Sequence, residues 1–294
     1  MTNQGAAMSA QLLEGKNLAV QMQNEIREFV VQAPGRICLA VIETQKDPSA
    51  EWYMGAQERL AAKLGIEYLK TPCEAVPDEG SLVMKIRELS EDPFVHGIFL
   101  SMPLPKQYNA TRIIDALDPK KDVEGVHPST LGLIVMRRRV SVPPTAYSAY
   151  LLAKSTNISM VGKRALVIGQ SAIVGRPLSI LLGEERMTTT IANTGTTQED
   201  LKKFVSESDF VFACVGKPGL VKGEWVKPGA TLVDVGTTEV DGKLVGDIEF
   251  DEACKKAAFV TPVPGGVGPL TTTLLFKNLT NLIQSHSHKS SSKK

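Results

Sequence analysis

Apolar runs and amphipathic stretches alternate along most of this chain. Arg36–Glu43 (RICLAVIE) and Gly97–Leu100 (GIFL) are nearly unbroken apolar runs, the pattern of strands covered on both faces. Around them, Ala10–Val31, Ala50–Leu64 (closed by Gly65) and Glu79–Ser90 carry helical spacing, and Glu67–Leu69 supplies a further short strand. Residues 101–145 break the rhythm with prolines at 103, 105, 119, 128, 143 and 144. A second series then begins: strand Ala165–Gly169 (ALVIG), helix Ile173–Glu184, strand Thr188–Ala192, helix Glu199–Ser206, and strands Phe210–Val215 and Thr231–Val235. A helix-like run, Leu270–Leu282, comes last. This alternation predicts an α/β fold with parallel sheets covered by helices. The break sets a domain boundary near residue 146 and so predicts domains over 1–145 and 146–269. A helix over 270–284 is expected to return to the first domain, ahead of a disordered tail over 285–294.

The 294 residues suffice for two domains, and 43% apolar with 22% charged residues is the composition of a soluble globular protein. A net charge of +1 provides no global field for nucleic acid or an anionic membrane, and no apolar stretch reaches membrane-spanning length. Arg137-Arg138-Arg139, between the apolar runs 131–136 and 140–143, reads as a solvated hairpin connection rather than a phosphate patch. Cys38, Cys73, Cys214 and Cys254 are far apart and the histidines form no cluster, so no metal site is expected. Residues 1–30 have neither signal-peptide nor transit composition, and the expected location is the cytoplasm.

Two segments carry candidate ligand chemistry. Pro262–Pro269 (PVPGGVGP) alternates residues that fix φ with residues that free it, which specifies one path of bare backbone at a helix start. Exposed N–H groups there can meet a flat ligand, so Pro264, Gly265 and Gly268 are candidate contacts; the plainer reading is a turn that launches the helix. The second segment is the turn after ALVIG, made by Gly169, Gln170, Ser171, Val174, Gly175 and Arg176. Glycine permits the tight reversal, Ser171 keeps the backbone open, and the N–H groups of the next helix face a pyrophosphate. Gly236-Thr237, after the strand TLVDV, lies at the carboxyl edge where open α/β sheets bind ligands.

Further motifs extend the pattern: Asp47-Pro48-Ser49 ahead of Tyr53, Met102-Pro103-Leu104-Pro105, Lys121-Asp122-Val123-Glu124-Gly125, Val221-Lys222-Gly223-Glu224-Trp225 and Asp234-Val235-Gly236. With them, nearly the whole chain resembles the methylenetetrahydrofolate dehydrogenase/cyclohydrolase family. The resemblance implies two α/β domains with a cleft between them. The first domain and the Pro-Gly loop would hold a tetrahydrofolate one-carbon substrate. The second, a Rossmann-type doubly wound parallel sheet, would hold NAD or NADP, and the assembly would be a homodimer.

The departures from the family pattern fall on chemistry. Family members usually carry Tyr-x-x-x-Lys, whereas Tyr53 is followed here by Gln57, an i,i+4 pair on one helix face. The family lysine is linked to hydrolysis of the methenyl intermediate, and glutamine has no titratable proton to move. Ser101 stands where the family has Gln. Glu124 replaces an Asp but keeps a carboxylate for the pterin N–H groups, and Pro143-Pro144-Thr145-Ala146 replaces Pro-Cys-Thr-Pro. Hydride loss from the methylene carbon is assisted by the substrate's own nitrogen and needs alignment rather than a protein base. The resemblance therefore implies NAD(P)-dependent oxidation of 5,10-methylenetetrahydrofolate, with cyclohydrolase activity weak or lost. Tyr53 and Gln57 would be the catalytic positions, and Ser101, Glu124 and the Pro-Gly loop further substrate contacts. The Gly169–Arg176 turn, Thr194, Gly236 and Thr237 would hold the cofactor. Neither Gln170 nor Asn193-Thr194-Gly195 offers the cation a 2′-phosphate needs, so the lean is to NAD. The alternative is a non-catalytic folate- or nucleotide-binding paralogue that regulates or pairs with an active relative. In the plainer readings Tyr53 is a packing aromatic, Glu124 a turn carboxylate and Asp122 structural.

Overall fold

The computed structural model describes residues 10–291. In chain order the elements are β1 (Gln11–Leu12), α1 (Lys16–Gln32), β2 (Cys38–Ile42), α2 (Pro48–Leu64), β3 (Glu67–Thr71), α3 (Glu79–Glu91), β4 (Gly97–Leu100), α4 (Ala110–Ile114) and α5 (Pro128–Val135). There follow α6 (Pro144–Lys154), β5 (Arg164–Ile168), α7 (Gly175–Glu184), β6 (Thr188–Ala192), α8 (Gln198–Glu207), β7 (Phe210–Ala213), β8 (Thr231–Asp234), β9 (Thr238–Val240), β10 (Lys243–Val245), α9 (Phe250–Cys254), β11 (Phe259–Val260) and α10 (Val267–Ser291). They form two compact units. One joins residues 10–18 to Thr145–Thr271, and the other joins Ala19–Pro144 to residues 272–291.

In the second of these units, β2 lies between β3 and β4 in a fully parallel sheet. Alternate β2 side chains serve opposite faces. Leu39 and Val41 pack with Leu60, Ala61 and Leu64 of α2 and Leu275, Phe276 and Leu279 of α10. Cys38, Ala40 and Ile42 pack with Leu82, Val83, Ile86 and Leu89 of α3. Burial on both faces is the reason RICLAVIE reads as an unbroken apolar run. Helix α2 begins where Asp47 accepts the Ala50 N–H at 2.9 Å, and Gly65 ends it in the left-handed region at φ 75°.

The other unit holds a parallel six-stranded sheet in the order β1-β11-β8-β7-β5-β6. Its core packs Leu166 and Ile168 of β5, Val211 and Ala213 of β7, Leu232 of β8 and Val260 of β11 against Leu201 and Val205 of α8 and Ala253 of α9.

Several expectations needed correction. The helix expected over Ala10–Val31 starts only at Lys16, because residues 11 and 12 form an edge strand beside β11. Leu13 N–H bonds Val260 O, and Gly15 N–H bonds Gly265 O, so residues 10–18 belong to the unit of the nucleotide-type sheet and not to a 1–145 domain. Arg137 sits just after α5, at φ 55°, so the arginine triplet follows a helix end and is no hairpin connection. The last helix spans Val267–Ser291, so residues 285–291 of the expected tail are helical; residues 292–294 lie outside the described residues.

Candidate functional site

Each unit positions its own set of side chains. In the unit containing β2, α2 and the turn after Lys121 supply the candidate residues. Tyr53 and Gln57 share one face of α2, one helical turn apart. Tyr53 is half-buried against Phe99, with ring centroids 6.0 Å apart and planes at 58°. Gln57 is fully buried; the Tyr68 hydroxyl donates to its Oε1 at 3.2 Å, and its Nε2 has no hydrogen-bond partner. Burial, and then the charge of Glu124, push the Tyr53 phenol far above its ordinary range. Tyr53 therefore stays protonated at any working pH.

Glu124 is held from both sides. Behind it, buried Asp122 accepts N–H groups from Val126 at 3.2 Å and His127 at 2.9 Å, closing the turn. Beside it, Asn278 of α10 donates to Val123 O and Val142 O, each at 2.8 Å. The Glu124 carboxylate has no hydrogen bond or ion pair among the described residues. Burial, joined by the charge of Asp122, raises its pKa to about 8. A partly desolvated, unpaired carboxylate is a group prepared for N–H donors from outside the chain. Asp122 is structural, as its plainer reading had it.

Ser101 is placed differently from the other substrate candidates. It follows β4 at the carboxyl edge where the strand order turns about β2, but its hydroxyl accepts the Thr44 N–H at 2.9 Å. Thr44 in turn donates to Ser101 O at 2.6 Å, so Ser101 ties two loops together. Nearby, Glu43, Cys73 and Glu74 bring three potential ligand atoms within 4.8 Å of one another. Lys46 and Lys70 already lie 3.4 and 3.8 Å from Glu43, and a cation would have to displace both ammonium groups.

In the unit with six strands, the order turns about β5, which pairs with β6 on one side and β7 on the other. Ligands of open α/β sheets bind outside the carboxyl ends at such a point. The Gly169–Gly175 turn lies there. Gly169 has φ 109°, and a Cβ on Gly175 would stand 2.0 Å from Gly169 O, so the turn closes this tightly only with glycines. The Ser171 hydroxyl accepts the Val174 N–H at 3.2 Å, which shapes the entry to α7. Gln170, Ser171 and Arg176 are exposed around this bare backbone, as is Thr194 after β6. The arrangement suits the pyrophosphate of a nicotinamide dinucleotide.

Gly236 is buried and its N–H is taken by Asp234 at 3.0 Å, which leaves exposed Thr237 as the more accessible of that pair. In the Pro-Gly loop, Pro264 and Gly268 are exposed, Gly265 has φ 114°, and α10 starts at Val267.

Two family models divide the chain between them. Residues 13–124 match the tetrahydrofolate dehydrogenase/cyclohydrolase catalytic domain, and residues 143–287 match the tetrahydrofolate dehydrogenase/cyclohydrolase NAD(P)-binding domain. The bifunctional protein FolD of Geotalea uraniireducens is 37% identical over 279 residues, covering 92% of this chain and 97% of that protein. The chain belongs to the tetrahydrofolate dehydrogenase/cyclohydrolase family. Among solved structures, the Trypanosoma brucei FolD complexed with NADP and an inhibitor is 34% identical, covers 94% of this chain and 98% of its own, and has a TM-score of 0.88. A 5,10-methylenetetrahydrofolate dehydrogenase from the silkworm Bombyx mori is 33% identical, with coverage of 95% and 99% and a TM-score of 0.87.

Within this family member, four residues that build the sites were given no role by sequence reasoning. Asn278 and Tyr68 left no signal: one is an amide among several polar residues of the last helix, the other an aromatic in an edge strand. Asp234 was named only as part of a motif and Asp247 not at all, although a carboxylate at a strand end needs partners. Asp234 accepts N–H groups of Asp247 and Ile248 at 3.0 and 2.8 Å, and Asp247 accepts those of Val215 and Gly216 at 2.7 and 3.0 Å. Burial raises Asp234 to about 6 against the opposing pull of these hydrogen bonds.

Proposed function

We propose that this protein oxidises 5,10-methylenetetrahydrofolate to 5,10-methenyltetrahydrofolate with a nicotinamide dinucleotide, and that it hydrolyses the product weakly or not at all. The bound nicotinamide supplies the hydride acceptor. Glu124 receives the pterin amino-pyrimidine N–H groups, and the ionised form is favoured once those donors replace water. Tyr53 orients the folate from α2, and Pro264, Gly265 and Gly268 present bare backbone. The Gly169–Arg176 turn, with Thr194 and Thr237, holds the dinucleotide. No protein base enters the oxidation: the methylene carbon gives up a hydride to the nicotinamide and stays on the folate as a methenyl cation stabilised by the substrate's own nitrogen lone pair.

The observation carrying the finer claim is Gln57. The position one turn after Tyr53 is fully buried, neutral and bonded to Tyr68, so it offers no proton to an attacking water. NAD is favoured over NADP because residues 193–197 (Asn-Thr-Gly-Thr-Thr) contain no cation for a 2′-phosphate. A homodimer is proposed from the family resemblance, with light scattering as its check, and cytoplasmic residence is in keeping with four free cysteines.

The test is purified protein with methylenetetrahydrofolate and either NAD or NADP. Reduced nicotinamide should appear, faster with NAD at equal concentration. Thermal stabilisation by the folate with no reduced nicotinamide from either cofactor would replace this reading with a non-catalytic binding protein.

A further inference from the structure

Asp234 and Asp247 have no part in the chemistry above, yet between them they take up the backbone donors at one end of the six-stranded sheet. β7 ends at Ala213 and β8 at Asp234, paired side by side at the carboxyl edge. Just past β7, the N–H groups of Val215 and Gly216 both donate to Asp247 Oδ2, at 2.7 and 3.0 Å. Past β8, Gly236 N–H donates to Asp234 Oδ1 at 3.0 Å. Asp247 N–H and Ile248 N–H donate to the same carboxylate at 3.0 and 2.8 Å. Both side chains are buried, and neither makes an ion pair among the described residues. Asp247 Oδ1 has no hydrogen-bond partner and lies against Gly236, where a Cβ would stand 2.2 Å from it.

The strand order decides which half of a dinucleotide meets this end. With the pyrophosphate outside β5 and residues 193–197 after β6 on one side of it, the other half extends over β7 and β8. The two places differ in charge. The pyrophosphate turn, Gly169–Arg176, contains an arginine and no acidic residue, as an anion requires. Beyond β7 and β8 the N–H groups are consumed by carboxylates, so that end offers two desolvated negative charges instead of donors. An oxidised nicotinamide ring is cationic, and the reduced ring is neutral. Resting on the dehydrogenase reading above, we infer that Asp247, backed by Asp234, makes the protein prefer the oxidised dinucleotide to the reduced one, acting on the ring through its charge rather than by contact. Once hydride has been transferred the attraction is gone, and the reduced dinucleotide is the form more readily released.

The experiment measures dissociation constants of NAD+, NADH and ADP-ribose by calorimetry at pH 8, for the wild type and for Asp247→Asn. The phosphorylated set is used in the same way if NADP+ binds the tighter. Asparagine keeps an acceptor oxygen for Val215 and Gly216 and removes the charge. The wild type should bind NAD+ more tightly than NADH. The variant should bind NAD+ about tenfold more weakly, the scale of a unit charge about 10 Å away at an effective dielectric of about 20. Its affinity for NADH should change by less than about twofold, and that for ADP-ribose, which lacks the ring, not at all. Equal factors for the two redox forms would mark Asp247 as a structural residue and overturn the inference, as would a wild type that binds NADH the more tightly. If the variant no longer binds ADP-ribose it has lost its fold, and the wild-type comparison decides alone. Wild-type protein that binds neither NAD+ nor NADP+ would overturn the dehydrogenase reading itself.

Discussion

Replacing Glu124 with glutamine should stabilise the folded protein while weakening its hold on folate. Burial and the charge of Asp122 raise the Glu124 carboxyl from the ordinary 4.5 to about 8. Such a displacement corresponds to about 5 kcal/mol for a fully desolvated group. Glu124 is only half-buried, and with water screening the expected effect falls to about 1–2 kcal/mol. Below pH 4.5 the carboxyl is protonated in folded and unfolded chains alike, and its burial costs nothing. Between 4.5 and 8 the unfolded chain has lost the proton that the folded chain retains, so the contribution to stability falls as pH rises. Above 8 the penalty is complete. Glu124→Gln removes the ionising group and keeps the shape. Urea midpoints of the two proteins should therefore converge near pH 5 and separate by pH 8.5, with the variant the more stable. In parallel, losing a charge-assisted contact should raise the folate KM roughly 10–100-fold at pH 8.5. The wild-type folate affinity should itself weaken as pH drops below 8, and that trend should vanish in the variant. A stability difference independent of pH, or a variant less stable at pH 8.5, would refute the picture of an unpaired, desolvated carboxylate.

Three further perturbations probe the other parts. Gln57→Lys restores a titratable group one turn after Tyr53 and should raise methenyltetrahydrofolate hydrolysis by about 10²-fold or more, followed as loss of the methenyl chromophore; no gain would mean that other residues also suppress hydrolysis. Gly175→Ala places a Cβ 2.0 Å from Gly169 O and should raise the KM for the dinucleotide at least about tenfold, at a stability cost of about 1–3 kcal/mol, while tetrahydrofolate affinity measured without cofactor stays constant. Asn278→Ala abandons Val123 O, Val142 O and Val142 N–H and should cost about 2–4 kcal/mol in urea unfolding, with a higher folate KM because the Glu124 turn loses its support.

The parts of the molecule legible from sequence were those with strong local causes. RICLAVIE and GIFL are buried on both faces and read as strands. Gly65 and Asp47 mark the ends of α2 by backbone and capping chemistry that acts within a few residues. The turn from Gly169 to Gly175 could be read because its glycines answer a local steric demand. Gln57 could be singled out through the family resemblance, although its complete burial and its bond to Tyr68 could not. The obscure parts depend on distant partners. β1 is two residues long and exists only because β11, some 250 residues later, pairs with it. Asn278 looks like one of several polar residues of the last helix until its bonds to Val123 and Val142 are seen. Ser101 could be named as a candidate contact, but nothing in the sequence tells that Thr44 takes its hydroxyl.

The central claim is an oxidation uncoupled from hydrolysis, and one time course tests it. Purified protein is mixed with methylenetetrahydrofolate and NAD, and reduced nicotinamide and methenyltetrahydrofolate are followed at separate wavelengths in a buffer where spontaneous hydrolysis is slow. The account predicts that the two rise together in a ratio near one to one and that the methenyl signal persists after the nicotinamide signal levels off. Reduced nicotinamide accumulating while methenyltetrahydrofolate stays near zero would contradict it, because the protein would then be hydrolysing its product without the lysine.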